Sequence, residues 1–487
     1  MLTIRNFVVD PNGEPDESEK MRPRSGKISI REQKGALHES GGPAPMRANH
    51  LRRAIGRWSL SALMVNTMIG ASAFGVPSLL AAHLGKLSPQ AYFAAAGGVG
   101  AIAACLAEVS SQFRTTGGPY LYARAAFGRF ASIQVGWLLW VSRIAASSAV
   151  ANLFISYLSQ FFPDVAIPSS RAIVLTLLIG FLATVNYRGV SGGVLINNFF
   201  TLTKLILLVL LAGGGLAALL LHPAIRATPD TVSPNTSDWF EAIILMVYAY
   251  GGFESALIAS GEARDPRQDA PMALLIALLT ATAVYISLQY VVLHIVPHAA
   301  ATATPAVDVA KRLVGPLGTT LVTAAILVSI YGYLSATMLH APRLTLAMGE
   351  QGDLPGFFAA IHPRFQSPHL SIVAFAVLLA AFSIAGSFRW NAILSATSRL
   401  FVYGCIAAAL PALRRKHPST DAFRLPFGPL FAALALVFTA VLVTRIGIGG
   451  LAVIGASSVA ATFTWFWRRR KLQSPKAAAS TDGVGRA

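Results

Sequence analysis

"MIGASAFGVPS", Met68 to Ser78, lies inside an otherwise apolar run, yet it carries Gly70, Gly75 and Pro77 within eight residues. Glycine and proline weaken or interrupt helical hydrogen bonding, so a helix that only has to cross a bilayer has no use for them at that density. The surroundings make the interruption informative. Hydrophobic residues are 54% of the 487 and charged ones only 12%, a membrane profile rather than that of a soluble multidomain chain.

About 30 Å of hydrocarbon requires roughly 20 residues of helix. Twelve stretches meet that need, at approximately 59–83, 91–113, 130–160, 172–187, 192–221, 239–261, 272–296, 317–346, 369–387, 390–412, 427–444 and 447–467, the fourth and ninth being short. The expected fold class is therefore an all-α integral membrane protein with 12 transmembrane helices.

A second interruption answers the first. The sixth span contains "VYAYGGFESAL", Val247 to Leu257, where Gly251 and Gly252 precede Glu254 at a depth where carboxylates are costly. Five spans separate the start of one broken helix from the start of the other. An odd number reverses orientation, so this is the pattern of an inverted five-helix repeat whose two breaks meet near mid-membrane. The organisation expected is a disordered cytoplasmic segment over 1–57, a first repeat over 58–221 and a second over 236–412. Two further helices follow over 424–468, then a tail over 469–487.

Unwound backbone inside lipid is tolerated only where protein buries it or a wet cavity meets it, because each unpaired amide or carbonyl costs several kcal/mol. A ligand can supply the missing partners. Half-helix N-termini offer N–H groups suited to a carboxylate, and half-helix C-termini offer carbonyls suited to an ammonium. An amino acid carries both groups.

Orientation follows the basic residues. Of 39 lysines and arginines, 29 fall on the side that carries both chain ends and seven in the opposite loops, which puts both termini in the cytoplasm. The net charge of +18 thus reads as topology and contact with anionic lipid rather than nucleic-acid binding. No cleavable signal peptide is visible; Met46, which begins "MRANHLRRAIGRW", offers an alternative start.

Cys105 and Cys405, the only cysteines, both lie in apolar spans and support neither a disulfide framework nor a zinc cluster. Gly189, Ser191 and Gly193 match a hydrolase nucleophile elbow by letters but lack its strand-turn-helix context. No enzymatic constellation, cofactor motif or metal spacing is present, and His83, His294, His298 and His340 read as interfacial.

Four stretches together resemble the amino acid, polyamine and organocation superfamily of permeases across roughly Arg53 to Lys471. They are "IGASAFGVP" in span 1, "SQFRTTGGPYLYARAAFG" after span 2, "YAYGGFESALIASGEARDPRQDAP" around span 6, and "APRLTLAMGEQGDLP" after span 8. The resemblance implies a LeuT-like fold of two inverted five-helix repeats plus two C-terminal helices, and alternating-access transport. It implies backbone amides at Met68, Gly70, Ala71 and Ser72 for the substrate carboxylate, and carbonyls at Tyr248, Ala249 and Gly251 for its amine. Ser72 departs from the family's usual glycine and adds a side chain there. Phe74, Tyr248 and Tyr250 lie within the broken segments as candidate gating or wall aromatics. Phe253, Trp137 and Trp140 are equally well explained by packing.

Three cations lie deep within spans: Arg143, Lys204 and Arg399. Lys204, the sole lysine or arginine between Arg188 and Arg226, lies about 20 Å into its helix, too deep for easy snorkelling. A central lysine costs roughly 2.5 to 3.5 kcal/mol on insertion scales, and burial disfavours its charged form. The resemblance agrees, since some of these permeases carry a lysine where sodium-coupled relatives bind a cation. A protonated Lys204 would brace span 1 against span 8 through Ser335 and make the proton the coupling ion; a permanent Lys-to-carbonyl strut is the competing reading. Arg143 and Arg399 need partners, for which Glu108 and Glu254 are available; alternatively one arginine faces the cavity and selects an anionic side chain.

The loops "TTGGPYLYARAAFG" and "GEARDPRQDAP" suit short interfacial helices of an inner gate, with Glu262, Arg264, Asp265, Arg267 and Asp269 as candidate locking charges. The function expected is secondary active transport of amino acids across the cytoplasmic membrane with protons. Sodium-independent exchange of amino acids or polyamines is the alternative.

Overall fold

A computed structural model describes residues 56–113, 118–188, 193–256, 266–416 and 423–472. The N-terminal segment through residue 55, the tail beyond 472, Ser191, and the gate charges Glu262, Arg264 and Asp265 lie outside them, as does the side chain of Arg267.

The described residues form helices joined by turns and irregular segments. The first expected span divides into α1 (Arg57–Met68) and α2 (Ser72–Leu84). Next come α3 (Ser88–Ser111), the short α4 (Pro119–Phe127), α5 (Arg129–Leu158), α6 (Pro168–Tyr187) and α7 (Gly193–Leu221). The sixth span also divides, into α8 (Thr236–Tyr250) and α9 (Phe253–Ala256). Then follow α10 (Pro266–Ile295), α11 (Pro305–Val314), α12 (Pro316–Glu350), α13 (His369–Ala385), α14 (Phe388–Lys416), α15 (Gly428–Val443) and α16 (Ile448–Leu472).

Eight helical stretches are long and apolar enough to cross a membrane, and α13 and α15 are shorter apolar helices. The two interrupted spans bring these to the twelve expected. The fourth span is longer than the hydropathy suggested, because Pro168 starts α6 ahead of Arg171, whose charge had ended the apolar stretch. The short α11 was not anticipated. It buries Ala306, Val307, Val309 and Ala310 and keeps Lys311 and Arg312 in its last turn, where cations favour the helix dipole.

The first interruption is narrower than the sequence implied. It falls at Ile69–Ala71, and both Gly75 and Pro77 lie inside α2. Proline at the sixth residue of a helix removes one hydrogen bond without ending it when the surroundings hold the helix. Gln289 Nε2 donates to the Pro77 carbonyl at 3.2 Å. Gly75 serves packing: a side chain there would collide with Phe388 and Leu153.

Helix α5 runs through the core, with Ser142, Ile144 and Ala145 among its buried residues, and it packs along α14 and α12. Helix α10 packs against α1, α3 and α7. By contrast α6, α15 and α16 expose Leu177, Phe181, Val437 and Phe463, as helices facing lipid do.

Candidate substrate site

At the first break, the Ile69 N–H closes the last turn of α1 on Val65 O (2.8 Å), and the Gly70 N–H turns back to Met68 O (2.9 Å). The break on the sixth span falls at Gly251 and Gly252. Gly252 has φ of +118°, and a Cβ there would strike the main-chain oxygen of Thr67. Glycine therefore lets the two breaks touch. A Cβ on Gly251 would fall on the guanidinium of Arg399.

Tyr285 of α10 joins the breaks. Its hydroxyl lies 3.0 Å from Met68 O, 3.0 Å from Ala249 O and 3.3 Å from Ser72 Oγ. The single hydroxyl hydrogen can serve either carbonyl, while Ser72 can donate in return. An unmet buried carbonyl costs about 1–3 kcal/mol, so one side chain stands ready to satisfy either interruption.

Between the breaks is a cavity of about 200 Å³. Leu63, Asn66 and Thr67 of α1 line it, with Gly70, Ala71 and Ser72. Arg143, Ala146 and Val150 of α5 face it, as does Lys204 of α7. The sixth span supplies Tyr248, Ala249, Gly251, Gly252 and Glu254; α12 supplies six residues from Ser329 to His340, and α14 supplies Arg399. Residues Ser72–Ser78 are all buried, whereas His340 is exposed. His340 is thus the exposed member of the lining, and the α2 side is packed shut.

Beyond the shut side, His83 Nδ1 lies 3.2 Å from Asp238 Oδ1, and Arg389 Nε donates to Glu241 Oε1 at 2.6 Å. His83 Nε2 is also 3.6 Å from Glu241 Oε1. These side chains tie the end of α2 to the starts of α8 and α14.

Four charged side chains stand in the cavity wall. Lys204 Nζ donates to Asn66 O at 2.9 Å, in the last turn of α1. Glu254 receives the Gly252 N–H at 2.9 Å and the Tyr403 hydroxyl at 3.1 Å. Arg399 Nε lies 3.3 Å from Glu254 Oε1, an ion pair by distance without hydrogen-bond alignment, and Arg399 Nη1 donates to Tyr248 O at 3.4 Å. Arg143 is within electrostatic range of both Glu254 and Arg399. Such buried charges persist only when partners offset their desolvation.

Of the residues singled out from sequence, Gly70, Ala71, Ser72, Tyr248, Ala249, Gly251, Arg143, Lys204, Glu254 and Arg399 are brought together here. Met68, Phe74 and Tyr250 are buried behind the wall. The Phe74 carbonyl accepts from the Tyr157 hydroxyl (2.7 Å), and Tyr250 Oη bonds Thr282 Oγ1 (3.0 Å). Ser335 stands on α12 outside the lining, so the Lys204 contact runs to the Asn66 carbonyl instead. Glu108 is a correction: its carboxylate is held by Arg414, a base outside the apolar spans. Arg414 Nε and Nη2 each donate to it at 2.6 Å, because α14 continues past the apolar stretch and carries Arg414 alongside α3.

Asn66, Tyr285, Tyr333 and His340 were not singled out for the site, His340 having been read as interfacial. A signal did exist for Tyr285. It and Gln289 form a polar pair four residues apart in an apolar span, on one helix face, and buried polar groups need partners.

A family model described as amino acid permease matches residues 55–467. The chain belongs to the amino acid permease family. The permease is 28% identical over 413 residues to the methylthioribose transporter of Bacillus subtilis (strain 168), covering 80% of this chain and 87% of the relative. It is also 28% identical over 411 residues to the serine/threonine exchanger SteT of that organism, covering 80% and 90%. The branched-chain amino acid permease BcaP, from the same source, is 23% identical over 431 residues, covering 82% and 89%. The permease is thus a multi-pass membrane transporter of the amino acid, polyamine and organocation superfamily, and not an enzyme.

On the face where α1 begins, the permease carries a second polar cluster. Asp353, fully buried, sits beyond the end of α12. Tyr120 of α4 and Arg129 of α5 both donate to it, the latter from Nε at 2.6 Å. Burial, reinforced by Asp353, pushes the Tyr120 hydroxyl up to about 12, so it remains a donor at physiological pH. Asp269 pairs with Arg57 at 3.0 Å, giving the expected gate charge a partner on α1.

Proposed function

We propose that this permease moves amino acids across the cytoplasmic membrane by alternating access, coupled to protons. The observation that carries the reading is the contact between Lys204 Nζ and Asn66 O, 2.9 Å apart at the edge of the first break and within the cavity wall. Protonated, Lys204 holds the end of α1 against α7. Neutral, it is a weaker donor, because hydrogen bonds from charged groups are worth about 1.5–3 kcal/mol against about 1 for neutral ones. Proton loss then loosens α1 and lets the cavity change sides.

The substrate carboxylate binds at the start of α2 by Gly70, Ala71 and Ser72, where the Ala71 and Ser72 amides and the helix dipole favour an anion. Its amine lies by Tyr248, Ala249 and Gly251. The repeats run over 58–221 and 236–412, and both termini are cytoplasmic, a reading supported by the excess of basic residues on that side.

Reconstituted in proteoliposomes, the permease accumulates radiolabelled amino acid when the outside is acidified, and Lys204→Ala loses that acceleration. Uptake by the variant that still rises with an imposed pH gradient defeats proton coupling at Lys204. A second reading, sodium-independent exchange, is favoured by likeness to the serine/threonine exchanger. There Lys204 is a permanent strut, and amino acid on the far side, rather than the pH gradient, accelerates flux.

A further inference from the structure

We propose that the cavity selects an anionic amino acid, one with a second carboxylate on its side chain. The inference rests on the transport reading above and names the substrate class of the same site.

Charge in the wall is one-sided. Arg143, Lys204, Arg399 and His340 line the cavity, against one carboxylate, Glu254. Glu254 is already engaged by Arg399, the Tyr403 hydroxyl and the Gly252 N–H. With both arginines and Lys204 charged, the described lining carries two positive charges in excess, even with His340 neutral. Arg143 and Arg399 are close enough to repel one another, and an arriving carboxylate relieves that repulsion as well as gaining its own attraction. Guanidinium is suited to this task, since its planar donors match a carboxylate.

The carbonyls that would hold an ammonium point the same way. Arg399 donates to Tyr248 O, and Tyr285 lies within bonding distance of Ala249 O. The chain's own donors thus compete with a substrate amine for two of the acceptors at the second break. Recognition shifts towards the substrate's acidic groups, and a polyamine or basic amino acid would bring added positive charge into an already cationic wall. A volume of about 200 Å³ admits a small amino acid.

The test uses the full chain in proteoliposomes, with uptake of radiolabelled L-glutamate competed by L-aspartate, L-serine, L-leucine, L-arginine and putrescine. Aspartate is expected to compete at concentrations at least about tenfold lower than serine or leucine, the scale of one charged hydrogen bond. Arginine and putrescine are expected not to compete. Neutral or cationic compounds that equal or exceed aspartate overturn the inference. The same ratio in Arg143→Gln is expected to fall about tenfold and to recover partly in Arg143→Lys; an unchanged ratio in a folded variant overturns the role of that wall. Thermal shift of the purified protein by glutamate reads the preference independently of these variants. Uptake of serine or leucine without glutamate sinks this inference alone, whereas absence of uptake for every amino acid sinks the transport reading beneath it.

Discussion

The hydroxyl of Tyr285 lies 3.0 Å from the carbonyl oxygen of Met68, the last residue of α1, and the same distance from that of Ala249, one residue before the end of α8. One side chain on a third helix therefore links both interrupted spans. Tyr285→Phe keeps the ring, which packs edge-on to Tyr250 at 5.6 Å, and removes only the hydroxyl. The expected cost is about 1–3 kcal/mol, seen as a lower melting temperature, with a clear loss of transport. Unchanged melting and uptake would show that the link is dispensable.

Gly252→Ala tests the contact between the breaks. A side chain there meets the Thr67 carbonyl at a backbone angle that L-residues rarely adopt. Strain of about 1–3 kcal/mol is expected from the dihedral alone, and the breaks must move apart. Transport should fall much further than expression, as measured by uptake per mole of protein in the membrane.

Glu254→Gln leaves Arg399 beside a neutral amide in a buried site. Removing one partner of a buried ion pair costs about 3–5 kcal/mol. Glu108→Gln is expected to destabilise less, because Arg414 is more exposed to solvent than Arg399. Thermal unfolding of the two purified variants in one detergent gives the order directly.

Arg389→Ala removes a cation from the cluster that closes the α2 end. Ion pairs near the surface are weak, so a shift of only about two- to fivefold in conformational population is expected. A Ser78→Cys reporter, at a residue now buried, should react correspondingly faster with an impermeant thiol reagent in the Arg389→Ala background. Equal rates would mean that the cluster does not hold that side shut.

Much of this architecture was legible in the chain. Uncharged stretches of fixed length must become helices in lipid, because no other local structure satisfies the backbone there. Gly70 in the first span and the Gly251–Gly252 pair in the sixth announced where two of those helices stop. The charges Arg143, Lys204, Glu254 and Arg399 declared themselves because ionised groups in apolar spans demand a reason. Pairing was less legible. Arg414 lies just past an apolar stretch, so nothing local indicated that it would reach Glu108, 306 residues away. Gly75 and Pro77 looked like breakers, but the packing of Phe388 and Leu153 and a bond from Gln289 keep them helical.

The sequence by itself determined the apolar spans and the two interruptions, since length, hydropathy and glycine act locally. Only the tertiary structure decided which acid meets which base, that Tyr285 stands between both breaks, and that His340 joins the cavity wall. Those outcomes depend on distances between residues far apart in the chain, and hydropathy along a single span carries no record of what stands across from it.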